Sequence, residues 1–121
     1  RRGVYDSRSV KDVPPAYLKT YFTNPSPGEY VVKPAVRDLV VFEHVNLMDR
    51  RSLRNEEDYD YVFCRNVLIY FDDKSRKQVI DKFYAMLNKG GFIFLGHAES
   101  LSRISTAFKI RRMADHIVYQ R

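Results

Sequence analysis

The sequence predicts an α/β domain built around a parallel strand pair, and three observations carry that reading. Residues 59–96 alternate an apolar strand, an amphipathic helix and a second apolar strand, the order of a βαβ unit. The first of those strands ends in Arg65 and Asn66, polar residues at the edge where open α/β sheets hold their ligands. At 121 residues the chain can build one modest core, about 100–200 residues being usual for a domain.

The elements follow in order. Residues 1–13 are polar and read as a loop or as an element cut open at its start. Pro14-Pro15 suits a helix N-terminus, where a missing N–H costs nothing, and predicts a short helix over 16–22. Asn24-Pro25-Ser26-Pro27-Gly28 is a turn signal. Strands are expected at 29–33 and 36–45, with Leu39 to Phe42 as the buried part of the second. Pro34 cannot donate to a ladder, so this pair reads as a sheet edge or small hairpin. Residues 48–58 are charged and loop-like.

The run from Asp60 to Cys64 is rich in aromatic and β-branched residues, as in a buried strand. Asp72-Asp73 offers an N-cap to the next helix. Val79, Ile80, Phe83, Met86 and Leu87 share one face of that helix, and Gly90 is expected to stop it. Phe92 to Leu95 reads as a fully buried strand, and Ile117 to Tyr119 as a terminal one.

Composition narrows the class. A 45% apolar and 30% charged chain with nine Tyr, eight Phe and no Trp is an ordinary globular mixture. A single cysteine, Cys64, allows no internal disulfide and points to a reducing, cytoplasmic setting. No run approaches the roughly 18 apolar residues of a membrane span. The net charge of +6 favours an acidic partner. The basic residues are scattered, however, in pairs such as Arg50-Arg51 and Arg111-Arg112, so a solvated surface is a better reading than a specific nucleic-acid footprint.

Two readings of Arg65 and Asn66 stand. They cap their loop and pair with Asp60 or Asp72, or they present donors and an amide to a polar ligand. Asn46, at the end of the expected preceding strand, favours the ligand: two neighbouring strands each ending in Asn suit a purine-like group. Tyr70 by itself reads as packing. His97, Glu99 and Ser100 suggest a nucleophilic triad only weakly, with no G-x-S-x-G elbow before them. His44, His97, His116 and Cys64 lack ligand spacing, so no metal site is expected. There is no glycine-rich phosphate loop.

Three motifs taken together resemble one family: F-C-R-N-V-L-I-Y-F-D at 63–72, L-N-K-G-G at 87–91 and G-H-A-E-S-L at 96–101. They are similar to the chemotaxis receptor methyltransferases, the CheR family. The likeness extends upstream through G-V-Y at 3–5, the Pro-Pro run at 14–22, and Val40, Phe42, Asn46 and Leu47. Ala98 stands where the family commonly has Ser.

The resemblance implies the C-terminal half of a Rossmann-like, S-adenosylmethionine-dependent methyltransferase sheet, with a small antiparallel β subdomain at about 29–42 that docks on the receptor. It implies methyl transfer to receptor glutamates, giving glutamyl methyl esters and S-adenosylhomocysteine. Asn46, Leu47, Arg65 and Asn66 would line the cofactor site; Tyr70 would lie near the transferred methyl, with Arg65 facing the acidic substrate. The partners implied are acidic, glutamate-bearing helices of chemoreceptors. The family's cofactor loop, its ribose-holding acid and its N-terminal helical domain are expected upstream of Arg1, so this stretch is not expected to be active by itself. A sheet edge left open would invite a homodimer or a strand swap. The alternatives are a non-catalytic receptor-docking module of the same fold and, more remotely, a nucleic-acid-binding domain.

Overall fold

In a computed structural model that describes residues 2–49, 51–96, 98–101, 105–114 and 116–121, the chain forms two units, Arg1–His44 and Val45–Arg121. The first holds a small antiparallel sheet of β1 (Val4–Asp6), β2 (Phe22–Thr23) and β3 (Glu29–Val32), in the order β1-β3-β2. Helix α1 (Pro15–Tyr21) starts at the proline pair, as expected, and runs directly into β2. In the turn at 24–28, the Asn24 side-chain amide donates to the Glu29 carbonyl at 2.9 Å. Gly28 there has φ +80°, a conformation that glycine adopts without penalty.

Of the two readings of residues 1–13, an element is present, because Val4–Asp6 pairs with β3; three exposed residues are too few to show an alternating pattern. One expectation fails in this unit. The strand expected over 36–45 does not form. Pro34–Arg37 is instead a short helix, α2, in which Pro34 occupies an early position that suits its fixed φ. Residues 39–46 carry no strand, and Leu39 is 81% exposed. The reason is topological: β3 is already paired on both sides, with Tyr5 opposite Tyr30 and Phe22 opposite Val32. The run therefore has no place beside β3, and no strand forms there. The small antiparallel sheet shares β3 with the expected span of about 29–42 and draws its other strands from Val4–Asp6 and Phe22–Thr23.

The second unit is a mixed four-stranded sheet. Its strands β4 (Tyr59–Cys64), β5 (Leu87–Leu95), β6 (Lys109–Met113) and β7 (His116–Gln120) run in the order β4-β5-β7-β6. β4 and β5 are parallel, with Val62 opposite Ile93 and Phe63 opposite Phe94, and α3 (Asp73–Met86) makes the crossover between them. The β5–β7 and β7–β6 pairs are antiparallel. Asp72 caps α3, its Oδ1 accepting from the Ser75 N–H at 2.8 Å. Val79, Ile80, Phe83 and Met86 are the buried face of α3, packed in one cluster with Ile93, Leu87, Leu101 and Tyr119.

Gly90 does not end the helix. The chain is already extended at Leu87, which is buried and pairs with Tyr59, and Gly90-Gly91 lies inside β5 where the register with β4 breaks. A Cβ on Gly91 would come within 3.0 Å of the Asp60 and Asn88 carbonyl oxygens, so that break needs glycine. The helix end is served by Arg121, whose guanidinium donates to the Ala85 and Leu87 carbonyls and lies over the Tyr84 ring.

β6 went unforeseen because Lys109, Arg111 and Arg112 make it look like loop; charged side chains are common on edge strands. β4 and β5 are not buried on both faces, as their composition suggests. α3 covers the face of Val62, Cys64 and Ile93, while Tyr61 and Phe63 on the other face are 60% and 70% exposed. Phe63 stacks on Phe94 with ring centroids 4.6 Å apart. Among the described residues, no helix is long and apolar enough to cross a membrane.

Candidate functional site

The carboxyl end of β4 is where polar groups converge. Cys64, the last residue of the strand, is buried, and Arg65 and Asn66 emerge from it exposed. Asn66 has φ +59°, a left-handed conformation that Asn tolerates better than most residues. A 3-10 turn over Leu68–Tyr70 follows, and Arg76 of α3 fixes its start by donating from Nε to the Leu68 carbonyl at 2.9 Å.

What holds this bend is a side chain distant in sequence. Glu99 Oε2 accepts from the N–H of Asn66 at 2.9 Å and of Gly96 at 2.7 Å. Its Oε1 accepts from Val67 at 3.0 Å and Leu68 at 2.7 Å. One carboxylate therefore satisfies four backbone donors, three of them on consecutive residues of the bend. Desolvation, the largest single influence, raises the Glu99 pKa. The four N–H groups, led by Gly96 and followed by Asn66, Leu68 and Val67, together outweigh it and hold the carboxyl below its usual range. It is thus charged at neutral pH. The Cys64 thiol, pushed up to about 11 by burial and then by the negative charge of Glu99, stays neutral and serves as packing.

Glu99 is itself held from two sides. Its N–H donates to the Gly96 carbonyl at 3.0 Å, and the next residues are tied to β7, where Tyr119 Oη lies 3.2 Å from Ser100 Oγ and accepts from the Leu101 N–H at 3.2 Å. Beside this junction opens a cleft of about 470 Å³ whose lining includes Arg65, Phe63, Phe94, Ser100 and His116. Because the N–H groups of Asn66, Val67 and Leu68 are already engaged, the bend offers a ligand mainly its side chains, the Arg65 guanidinium and the Asn66 amide.

The expected site residues are distributed as follows. Arg65 and Asn66 stand together on the bend, and Tyr70, 82% exposed, closes the 3-10 turn after them, so it is not the packing residue its surroundings suggested. Asn46 is not at a strand end. Its Oδ1 accepts from the Met48 N–H at 3.0 Å, making a local turn. Leu47 packs against the core, and its carbonyl accepts from Lys82 Nζ of α3 at 2.7 Å. Lys82 thereby anchors the 47–52 loop through Leu47, Asp49 and Ser52. His97, Arg50 and Arg1 lie outside the described residues. In the sequence Glu99 suggests only a weak triad member; a carboxylate three residues beyond Gly96 is the local sign of its role.

The model of the family described as "CheR methyltransferase, SAM binding domain" matches residues 1–117. The chain is 43% identical over 111 residues to "Chemotaxis protein methyltransferase 2" of Vibrio cholerae, covering 92% of this chain and 38% of that protein. It is 36% identical over 121 residues to "Chemotaxis protein methyltransferase Cher2" of Pseudomonas putida and 34% over 121 to "Chemotaxis protein methyltransferase 1" of Pseudomonas aeruginosa. Each of those two alignments covers 99% of this chain and 43% of the relative. The chain thus spans 38–43% of the length of these curated relatives.

Proposed function

The chain belongs to the CheR methyltransferase family, and from that premise we propose that the protein moves a methyl group from S-adenosylmethionine to glutamate side chains of chemoreceptors, forming glutamyl methyl esters. The observation that carries this reading is the Arg65-Asn66 bend at the carboxyl end of β4, the edge at which sheets of this class bind ligands. Its donor set fits the methyl donor. The Asn66 and Asn46 amides each offer a donor and an acceptor to a purine and its sugar, and Leu47 supplies an apolar contact. When bound, S-adenosylmethionine supplies a methyl group on an electron-poor sulfonium.

The acceptor glutamate, with an ordinary pKa near about 4.3, is already ionised at neutral pH, so no strong general base is required. What the protein contributes is alignment and the exclusion of water. Tyr70, on the turn directly after the cofactor-binding pair, positions the reacting groups. Arg65, whose guanidinium presents a planar fork of donors on the wall of the cleft, faces the incoming carboxylate. The antiparallel sheet of the first unit docks on the receptor, and the net charge of +6 suits acidic receptor helices. Cytoplasmic residence accords with a lone, buried cysteine.

Replacing Tyr70 by Phe in the full-length enzyme tests the role of the phenol. Turnover should fall by about tenfold or more, since small losses of alignment are amplified in rate. Calorimetric affinity for S-adenosylhomocysteine should stay within about twofold, because an exposed hydroxyl that acts only on the reacting groups adds little ground-state binding. Unchanged turnover would remove Tyr70 from the mechanism.

A further inference from the structure

We infer that Glu99 is the positioning residue of the methyl-donor site, a carboxylate clamp that fixes the Asn66–Leu68 bend in the conformation that binds S-adenosylmethionine. The inference rests on the function proposed above. It is carried by geometry: four backbone N–H groups converge on one carboxylate at 2.7–3.0 Å, from two segments that lie far apart in sequence. Both oxygens are used twice, so the clamp has no spare acceptor with which to hold a ligand directly. Glu99 acts through Asn66 rather than on the cofactor.

The arrangement explains why the bend can be so sharp. A left-handed Asn66 followed by a 3-10 turn directs three consecutive N–H groups to one side, a concavity suited to an anion. With no anion there, the three donors would compete for water or for the ligand, and the chain could relax toward an ordinary loop. The charge matters as well as the shape. A glutamine at the same place could accept through its carbonyl oxygen, but its NH2 would face two N–H donors. The clamp in turn is fixed to the sheet through Ser100, Leu101 and the Tyr119 hydroxyl. The site residues at the end of β4 are thereby tied to β5 and β7, and the donor pair is pre-organised before any ligand arrives.

The test compares the wild-type protein with Glu99→Gln and Glu99→Asp by amide hydrogen exchange, by calorimetry with S-adenosylhomocysteine, and by the separation of KM from kcat. In Glu99→Gln, exchange at Asn66, Val67, Leu68 and Gly96 should accelerate by about tenfold or more, these donors losing a charged acceptor. Amides of α3 should remain protected, which shows that the fold persists. Dissociation of S-adenosylhomocysteine and KM for the methyl donor should rise by about tenfold or more, with a smaller change in kcat. Glu99→Asp, which keeps the charge and loses one methylene, should recover part of both effects. Unchanged exchange at the bend would overturn the clamp. Faster exchange with unchanged affinity and KM would overturn its positioning role and leave it purely structural. If the full-length wild-type protein fails to bind S-adenosylhomocysteine, the proposed function falls, and the exchange measurement still decides whether the clamp exists.

Discussion

Substituting Gly96 with alanine is expected to weaken S-adenosylhomocysteine binding by roughly tenfold to a hundredfold. Overpacking of this kind costs about 1–3 kcal/mol, and each factor of ten in affinity corresponds to about 1.4 kcal/mol. A Cβ at this position would sit 2.5 Å from Asn66 Oδ1, 2.8 Å from Glu99 Oε2 and 3.0 Å from the Asn66 backbone nitrogen. Side-chain oxygens can move aside, but these two cannot do so harmlessly. One belongs to the amide offered to the ligand, and the other is already bonded to the Asn66 and Gly96 N–H groups. The backbone nitrogen cannot yield unless the bend opens. Gly96 is therefore required for close approach of two chain segments, not for a special φ. Calorimetry on the folded variant reads the effect; affinity within about threefold of wild type, less than the about 1 kcal/mol that marks the mildest overpacking, would mean that the bend does not form the ligand contact.

The second large effect concerns the core that holds the site in place. Ile93→Ala should lower stability by about 3–5 kcal/mol, the upper part of the range for truncating a buried aliphatic side chain. Ile93 is 0% exposed, at the centre of the face that α3 covers, between Val62 of β4 and Tyr119 of β7. Collapse around the lost atoms would require the sheet and α3 to shift together, which close packing resists. The melting temperature should drop by roughly 12–20 °C for a chain of this size. Tyr61→Ala, on the open face of the same sheet, should cost only a fraction of that. Equal losses for the two variants would show that the exposed aromatic face is as well packed as the face beneath α3.

Much of this architecture was legible in the residues because its signals are local. The α3 stripe of Val79, Ile80, Phe83 and Met86 repeats with the helical period, and Asp72 sits where a cap belongs. The strand character of β4 and β5 and the polar pair that ends β4 are equally local. The failures depended on partners remote in sequence. The run at 36–45 has the composition of a strand, yet β1 and β2 had already filled both edges of β3. Tyr61 and Phe63 read as buried because aromatic runs usually are, and whether a second layer covers them cannot be inferred from their own segment. Gly90-Gly91 looked like a helix stop and instead accommodates a register break against Asp60.

The site shows the same division. Arg65, Asn66 and Tyr70 belong to one continuous motif, and the bend explains their grouping. Asn46 is expected at a strand end, and in the structure it makes a local turn before a loop anchored by Lys82. Glu99 escaped notice because its significance lies in four backbone N–H groups, and backbone donors leave no trace in side-chain identity.

The proposed function requires that the bend after β4 and the 46–47 loop together bind the methyl donor. It is tested by a titration of the full-length protein with S-adenosylhomocysteine, followed through backbone amide chemical shifts. The account predicts saturable shifts concentrated at Asn46, Leu47, Arg65, Asn66 and Tyr70, with the basic edge strand β6 unaffected. Saturable shifts that leave the 65–70 bend unmoved, or no binding by the folded protein, would contradict it.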